Sequence, residues 1–379
     1  MNIVCSGYIV RYPLAGQTWH HLQYLLGFAR LGHRVTFVEE SGWPRSCYDP
    51  SRGEMTDDPA YGVAYLAQIL RAHGLADDWC YVAADGTAHG LSRAALAVRC
   101  READLYVDLS GMNRSAEVEA CRTKVLIDTD PVFTQIGGHR LRSLEWYDAL
   151  FTFGENVHRP ECSMPIGDAR WRPTRQPIVL DQWPAAPGDA HAPFTTVMNF
   201  NAYGERTHAG RVYGQKDRSF APFVTLPRQV GEPMEIALNA APDVCRRLEL
   251  GGWRLADPLV VTQTPEAYRR YLVGSRAEFS VAKEAYVVTR SGWFSERSAA
   301  YLACGRPVIV QDTGFGTVLP VGRGVLAFAT PAEAADAIAR LRDDYVAHCR
   351  AARAVAEEFF DARTLLGALL EASLAECVR

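Results

Sequence analysis

Short apolar runs alternate with helical stretches along nearly the whole chain, and this alternation limits the possible folds more than any other property. Residues 2–5, 35–38, 105–107, 125–127 and 150–153 read as strands. Residues 20–31 carry Leu22, Leu25, Leu26 and Ala29 at helical spacing, up to a stop at Gly32. Strand and helix in turn imply a parallel sheet with right-handed crossovers. The pattern resumes with predicted strands at 195–200, 235–238, 259–261, 285–288 and 308–310, and residues 332–378 read as helical. Between the two runs, residues 156–193 hold seven prolines, which predicts a domain boundary. The fold class expected is therefore α/β, with two Rossmann-like doubly wound domains, 1–175 and 176–360, meeting at an interdomain cleft. Residues 43–62 lack periodicity and read as a loop excursion near the mouth of that cleft.

A length of 379 residues gives each half room for its own core. The net charge of −4 argues against a nucleic-acid partner, since such domains are usually strongly basic. No apolar run reaches the roughly 20 residues needed to cross a bilayer. The start, MNIVCSGYIV, has no basic segment and no cleavage site, and reads as a strand rather than a signal peptide. Ten cysteines lie far apart, without a C-x-x-C pair or metal-site spacing, so reduced thiols, a cytoplasmic location and no metal are expected. A P-loop, a G-x-G-x-x-G fingerprint and a Ser-His-Asp motif are all missing from the sequence.

The segment 279–316, FSVAKEAYVVTRSGWFSERSAAYLACGRPVIVQDTGFG, carries the functional signal. A glycine turn opening a helix presents unpaired N–H groups and the positive end of the helix dipole, which suits a diphosphate. The strand 308–310 then delivers Gln311 and Asp312 to the carboxyl edge where open α/β sheets hold ligands. Only three of the 40 basic residues are lysine, namely Lys124, Lys216 and Lys283. A compact ammonium is a phosphate ligand that arginine imitates imperfectly, which singles out Lys283 and Lys216.

Ser291-Gly292-Trp293-Phe294-Ser295 is similar to the Cys-Gly-Trp-Asn-Ser core of plant-type sugar transferases. Ala303-Cys304-Gly305-Arg306-Pro307-Val308-Ile309 resembles the ACG-x-PVI tail of bacterial GT-B glycosyltransferases. The resemblance is close over about 254–330 and departs from the retaining pattern, where two glutamates eight apart would fall on Gly292 and Ala300. It implies the GT-B fold, with residues 361–379 forming a helix that packs back on the first domain. It also implies transfer of a sugar from a nucleoside-diphosphate donor, with no cofactor besides the donor. The first half lacks the basic amphipathic patch used to reach membrane-bound lipid acceptors, so a small acceptor such as a natural-product scaffold is expected.

Charge and the helix start point to Lys283, Arg290, Ser295 and the amides after Gly292 for the leaving diphosphate, and the resemblance implies the ribose and sugar contacts. Glu296 takes the ribose hydroxyls, and Gln311 and Asp312 take the donor sugar. Asn199, Asn201, Arg206 and Lys216 complete the donor side, and Gly16 and Gln17 mark the acceptor-side loop. For the base that takes the acceptor's proton, His20, Asp108, Asp128 and Asp130 all remain open. Two rival functions share this architecture: a nucleotide-sugar epimerase, which needs two or three convergent carboxylates, and a non-catalytic nucleotide-binding homologue.

Overall fold

The structure is a computed structural model that describes residues 1–137, 140–201 and 203–376. Its first half contains β1 (Asn2–Ser6), α1 (Ala15–Arg30), β2 (Arg34–Glu40), β3 (Cys47–Asp49), β4 (Glu54–Thr56), α2 (Ala60–Ala72), β5 (Trp79–Val82) and β6 (Ala88–Gly90). These are followed by α3 (Arg93–Arg101), β7 (Leu105–Leu109), β8 (Lys124–Asp128), β9 (Ala149–Thr152) and β10 (Trp171–Pro173). An eight-stranded sheet runs β10-β9-β8-β7-β1-β2-β5-β6, parallel except for the antiparallel edge strand β6. Strands such as NIVCS and LYVDL are buried at nearly every position because helices cover both faces of a parallel sheet.

The second half contains β11 (Phe194–Met198), β12 (Arg206–His208), β13 (Arg211–Tyr213), α4 (Lys216–Phe220), α5 (Leu226–Val230), β14 (Met234–Leu238), α6 (Pro242–Gly251) and β15 (Arg254–Ala256). After these come α7 (Pro258–Thr262), α8 (Pro265–Val273), β16 (Ala277–Ser280), α9 (Glu284–Val288), α10 (Glu296–Ala303), β17 (Val308–Gln311) and β18 (Val325–Phe328). The chain closes with α11 (Pro331–Asp343), α12 (Tyr345–Phe359) and α13 (Ala362–Glu376). Six strands form a parallel sheet in the order β15-β14-β11-β16-β17-β18, the doubly wound order in which strand succession reverses beside the first strand. The first sheet reverses in the same way beside β1 and β7.

Two predicted strands are helices instead. Residues 259–261 lie in α7, where the Asp257 carboxylate accepts from Leu259 N at 2.8 Å and Pro258 fills the first turn, so capping overrides the β-branched run. Residues 285–288 lie in α9, and the neighbouring strand position belongs to the less conspicuous AEFS of β16. The proline-rich stretch is not all connector either, since β10 pairs with β9 inside the first sheet. Of the helical tail, Val378 lies outside the described residues.

The chain crosses between the sheets twice, and the two crossings are bonded together. Ile178 N donates to Phe360 O at 2.7 Å, and Ala362 N donates to Ile178 O at 2.9 Å. From there α13 packs on α1, and a Cβ on Gly27 would come within 2.4 Å of Leu366. One buried apolar cluster runs from Ile3 and Phe37 through Trp183 to Ala300 and Phe360, so the halves share packing at this hinge side.

Candidate functional site

The carboxyl edges of the two sheets face each other. Two residues beyond β8, the Asp130 carboxylate receives the Lys283 ammonium, which lies three residues beyond β16, at 2.7 and 2.8 Å. Tyr203 and Tyr286 donate their hydroxyls to the same carboxylate, and Lys283 Nζ also lies 2.8 Å from Tyr203 Oη. The ammonium stands 4.9, 4.6 and 5.5 Å from the ring centroids of Phe133, Tyr203 and Tyr286, an aromatic surround that favours a cation. Val132, β-branched and fully buried, is held at φ +73° in the loop that carries Asp130, a conformation costing about 1–3 kcal/mol and typical of functional loops. Lys283, singled out from sequence for a diphosphate, is therefore engaged with the opposite sheet.

Beside it, at the reversal point between β11 and β16, Lys216 begins α4. Its ammonium has no hydrogen-bond partner among the described residues. Burial pushes its pKa down to about 7, with repulsion from Arg297 and Lys283 adding to the shift and Glu296 and Glu278 opposing it. Gln215, buried next to it, leaves both amide atoms unpartnered. The second residue of α10, Arg297, spends its guanidinium on Glu278 at 2.5 Å, Val197 O at 2.6 Å and Ser280 Oγ at 2.5 Å, tying the ends of β11 and β16 to the helix start.

A recess of about 230 Å³, counting space open to solvent, lies between the ends of β16 and β17 and the start of α10, lined by Ser280, Val281, Trp293, Ser295, Ser298 and Gln311 among others. The Trp293 indole N–H and Ser298 Oγ, both buried, find no partner among the described residues. Buried polar groups are normally satisfied, so two unpaired groups on one void mark it as a place for a polar guest. Ser295 caps α10, its hydroxyl accepting from Arg297 N at 3.2 Å, and Gln311 Oε1 accepts from Ala282 N at 3.2 Å. Gly292 makes the preceding turn at φ +79°, and Arg290 and Asp312 pair loosely at 3.7 Å on the exposed rim.

A second void, about 300 Å³ and partly open to solvent, lies between α1, α8 and α10. Gly16, His20, Gln23, Tyr268, Glu296 and Arg297 line it. His20 and Glu296, assigned to base and ribose, thus share one space. Both ring nitrogens of His20 lack partners among the described residues. Burial lowers its pKa, and only Glu296 opposes that shift, so the imidazole is kept neutral. Gln17 acts through its carbonyl, which accepts from His21 Nδ1 at 2.7 Å, while His21 Nε2 accepts from Tyr8 N at 3.2 Å. This imidazole crosses so close to Gly7 that a Cβ there would lie 2.0 Å from its ring, and it fixes the turn after β1.

Two of the four base candidates are corrected. Asp108 is fully buried, with Ser6 Oγ at 2.9 Å and Tyr147 Oη at 2.6 Å donating to its two oxygens. Asp128 is fully buried as well. It accepts from Asp130 N at 2.9 Å, Gln135 Nε2 at 2.7 Å and Thr152 Oγ1 at 2.6 Å, and so shapes the loop that presents Asp130. Carboxylates sealed in this way have no lone pair turned to an acceptor, and both belong to the scaffold. On the donor side, Asn199 is exposed after β11, Asn201 bonds Asp217 and Phe200 O at 3.0 Å, and Arg206 is exposed on the β12–β13 hairpin. These three do not join the void beside α10.

Sequence reasoning missed Asn156. Fully buried in the loop after β9, it donates from Nδ2 to Arg290 O and Gly314 O, each at 3.0 Å, and accepts from Thr317 Oγ1 at 2.6 Å. Nothing in GENVHRP signals that role, because its partners are distant carbonyls. Tyr203 and Tyr286 were open to view in segments already singled out, but aromatic residues there read equally well as core.

No protein-family model matches the chain, and no curated protein matches it. Solved structures do. An alpha-glucosyltransferase in complex with UDP-glucose and DNA containing an abasic site aligns over 98% of both chains at 8% identity, with a TM-score of 0.61. HepE from Anabaena, in complex with UDP and glucose, aligns over 98% of this chain and 99% of its own at 12% identity and a TM-score of 0.57. AviGT4, a glycosyltransferase involved in avilamycin A biosynthesis, covers 98% and 97% at 15% identity and 0.55. The chain has the GT-B fold. At these identities the likeness is one of fold, and it overturns one expectation. Net charge argued against a nucleic-acid partner, yet alpha-glucosyltransferases of this fold are solved on DNA, and that expectation is withdrawn. Among the described residues, no helix is long and apolar enough to cross a membrane, and no group of three His, Cys, Asp or Glu could hold a metal.

Proposed function

We propose that this GT-B chain is a glycosyltransferase using a nucleoside-diphosphate sugar. The observation that carries the reading is the void between the ends of β16 and β17, with unpaired Trp293 N–H and Ser298 Oγ on its wall, and Lys216 opening a helix on the side of the neighbouring strand β11. Polar groups for a base or ribose therefore lie close to a cation for phosphate, beside the start of α10. Structural neighbours solved with UDP or UDP-glucose favour uracil as the base.

In this reading the diphosphate leaves toward Lys216 and the amides after Gly292, where fixed positive charge stabilises the developing anion. Glu296 holds ribose hydroxyls at the head of α10. His20, neutral and with a free ring nitrogen, takes the acceptor's proton from the first-sheet side. Transfer of this kind needs no cofactor besides the donor. We take residues 1–175 as the acceptor half, 176–360 as the donor half, and the last helix as a strap between them. A small hydroxylated acceptor is our preferred substrate, supported by the role stated for AviGT4. The free thiols of nine cysteines among the described residues support a reducing, cytoplasmic setting. The burial of Asp108 and Asp128 removes carboxylates that the epimerase reading requires.

The test is calorimetric titration with UDP, GDP, dTDP and ADP, followed by NMR of the anomeric proton of the matching nucleotide-glucose. Acceptor arms would contain a small-molecule panel and a duplex with 5-hydroxymethyluracil. Nucleoside diphosphates binding no tighter than their nucleosides would sink the reading, and isomerised sugar would replace it with the epimerase.

A further inference from the structure

The ion pair between Lys283 and Asp130 joins residues from the carboxyl edges of two different sheets. Three features make it more than a surface contact. Both side chains are mostly buried, at 12% and 16% exposure. The carboxylate also receives hydroxyls from Tyr203 and Tyr286, both on the second-sheet side. The loop carrying Asp130 is pinned by Asp128 and passes through the left-handed Val132. Meanwhile Lys216 opens α4 and Lys283 caps α9, and the two helix starts are bonded together, Glu284 N donating to Gln215 O at 3.3 Å.

We propose that Asp130 is a built-in competitor for the donor diphosphate: it holds Lys283 across the cleft until a diphosphate takes the lysine over. Donor binding and the Lys283–Asp130 bond are then mutually exclusive, and by linkage each weakens the other. A diphosphate offers the ammonium more charge than one carboxylate does and satisfies Lys216 at the same time. Capture of Lys283 takes the ammonium off the Asp130 carboxylate, which keeps its two tyrosine hydroxyls. The inference rests on the glycosyltransferase reading for the identity of the donor, but the competition itself is testable apart from it.

The experiment titrates the parent, Asp130→Asn, Lys283→Met and the double variant with inorganic pyrophosphate and, separately, with UDP. Circular dichroism melts would verify that each variant is folded, and Tyr286→Phe serves as a milder variant that loosens the same carboxylate. The expected result is that Asp130→Asn binds pyrophosphate at least five-fold tighter than the parent, with Tyr286→Phe shifted in the same direction. The gain should vanish in the Lys283→Met background. An unchanged or weaker affinity in Asp130→Asn, or an equal gain with and without Lys283, overturns the competition. Pyrophosphate following the expected pattern while UDP, GDP, dTDP and ADP bind no better than pyrophosphate would overturn the nucleotide-sugar reading and leave the competition standing. UDP binding tightly to parent and Asp130→Asn alike would do the reverse, and no binding to any variant overturns both.

Discussion

Asn156 and Gly292 occupy each other's space: a Cβ on Gly292 would lie 2.8 Å from Asn156 Cγ. The asparagine arrives from the first half of the chain and the glycine turn from the second, immediately before α10. Asn156 N donates to Ser291 O at 3.0 Å, and its side chain holds the carbonyls of Arg290 and Gly314. The turn that presents the head of α10 is therefore set by a residue of the opposite half.

Asn156→Ala should cost about 1–3 kcal/mol of stability, since it strands the Arg290 carbonyl, whereas the Gly314 carbonyl and the Thr317 hydroxyl keep each other at 3.0 Å. Gly292→Ala should be comparably harmful, because it adds a left-handed alanine at φ +79° to the overlap. Urea unfolding of both variants measures the loss. A change under 0.5 kcal/mol in either would mean that the turn is not held in this way.

Lys216 gives a pH signature. Its pKa near 7 means that the ammonium is present below pH 7 and fades above it in the free protein. Affinity for UDP should then fall as pH rises from 7 to 9.5, a window in which the phosphates are already fully charged because their second ionisation lies near 6. Lys216→Met should be weaker at pH 7 and flat across the window. Equal slopes in parent and variant would remove Lys216 from the phosphate site. Stability has a definite sign too: the unfolded lysine holds its proton to about 10.4, so this residue makes the fold more stable as pH rises from 7 toward that value.

His20 sets a second pH dependence. Its folded pKa is lowered, so as pH falls through about 6.5 the unfolded chain takes up a proton that the native ring refuses, and stability is lost. Glu39 and Glu155, whose buried carboxyls are pushed up to about 7, act in the opposite direction, so the variant must be compared with the parent rather than the curve read alone. Between pH 7 and 5, His20→Gln should lose less stability than the parent. If His20 is the base, the same variant should also lower donor turnover at least a hundred-fold with UDP affinity kept. Turnover within three-fold of the parent would pass the role to Asp130.

Glu296 separates ligand binding from scaffold. Glu296→Gln should weaken UDP by about 1.5–3 kcal/mol, the range for a hydrogen bond to a charged group. The unliganded melt should move little, since a first-turn acid contributes only about 0.3–1 kcal/mol through the helix dipole. Lost stability with intact affinity would reassign Glu296 to the helix start.

The sequence by itself determined the layered α/β plan, the two runs of strands and the position of the key helix start. Those features rest on local periodicity, on glycine turns and on helix caps, which act within a few residues. Its errors were also local: at 259–261 a cap and a proline outweighed β-branched residues, and at 285–288 an apolar run too short to decide its own state became a helix. Lys216, Glu296 and His20 were visible as candidates because an isolated lysine, a first-turn acid and a histidine opening an apolar helix stand out in print. Only the tertiary structure decided what each carboxylate does. Asp108, Asp128 and Asp130 look alike at strand ends, and burial alone separates them: the first two are sealed by hydroxyl, amide and backbone donors, and the third reaches across to Lys283. The Asn156 clamp and the Lys283–Asp130 bond join residues far apart in the chain, so no periodicity or spacing could reveal them; they exist only once two sheets present their carboxyl edges to each other.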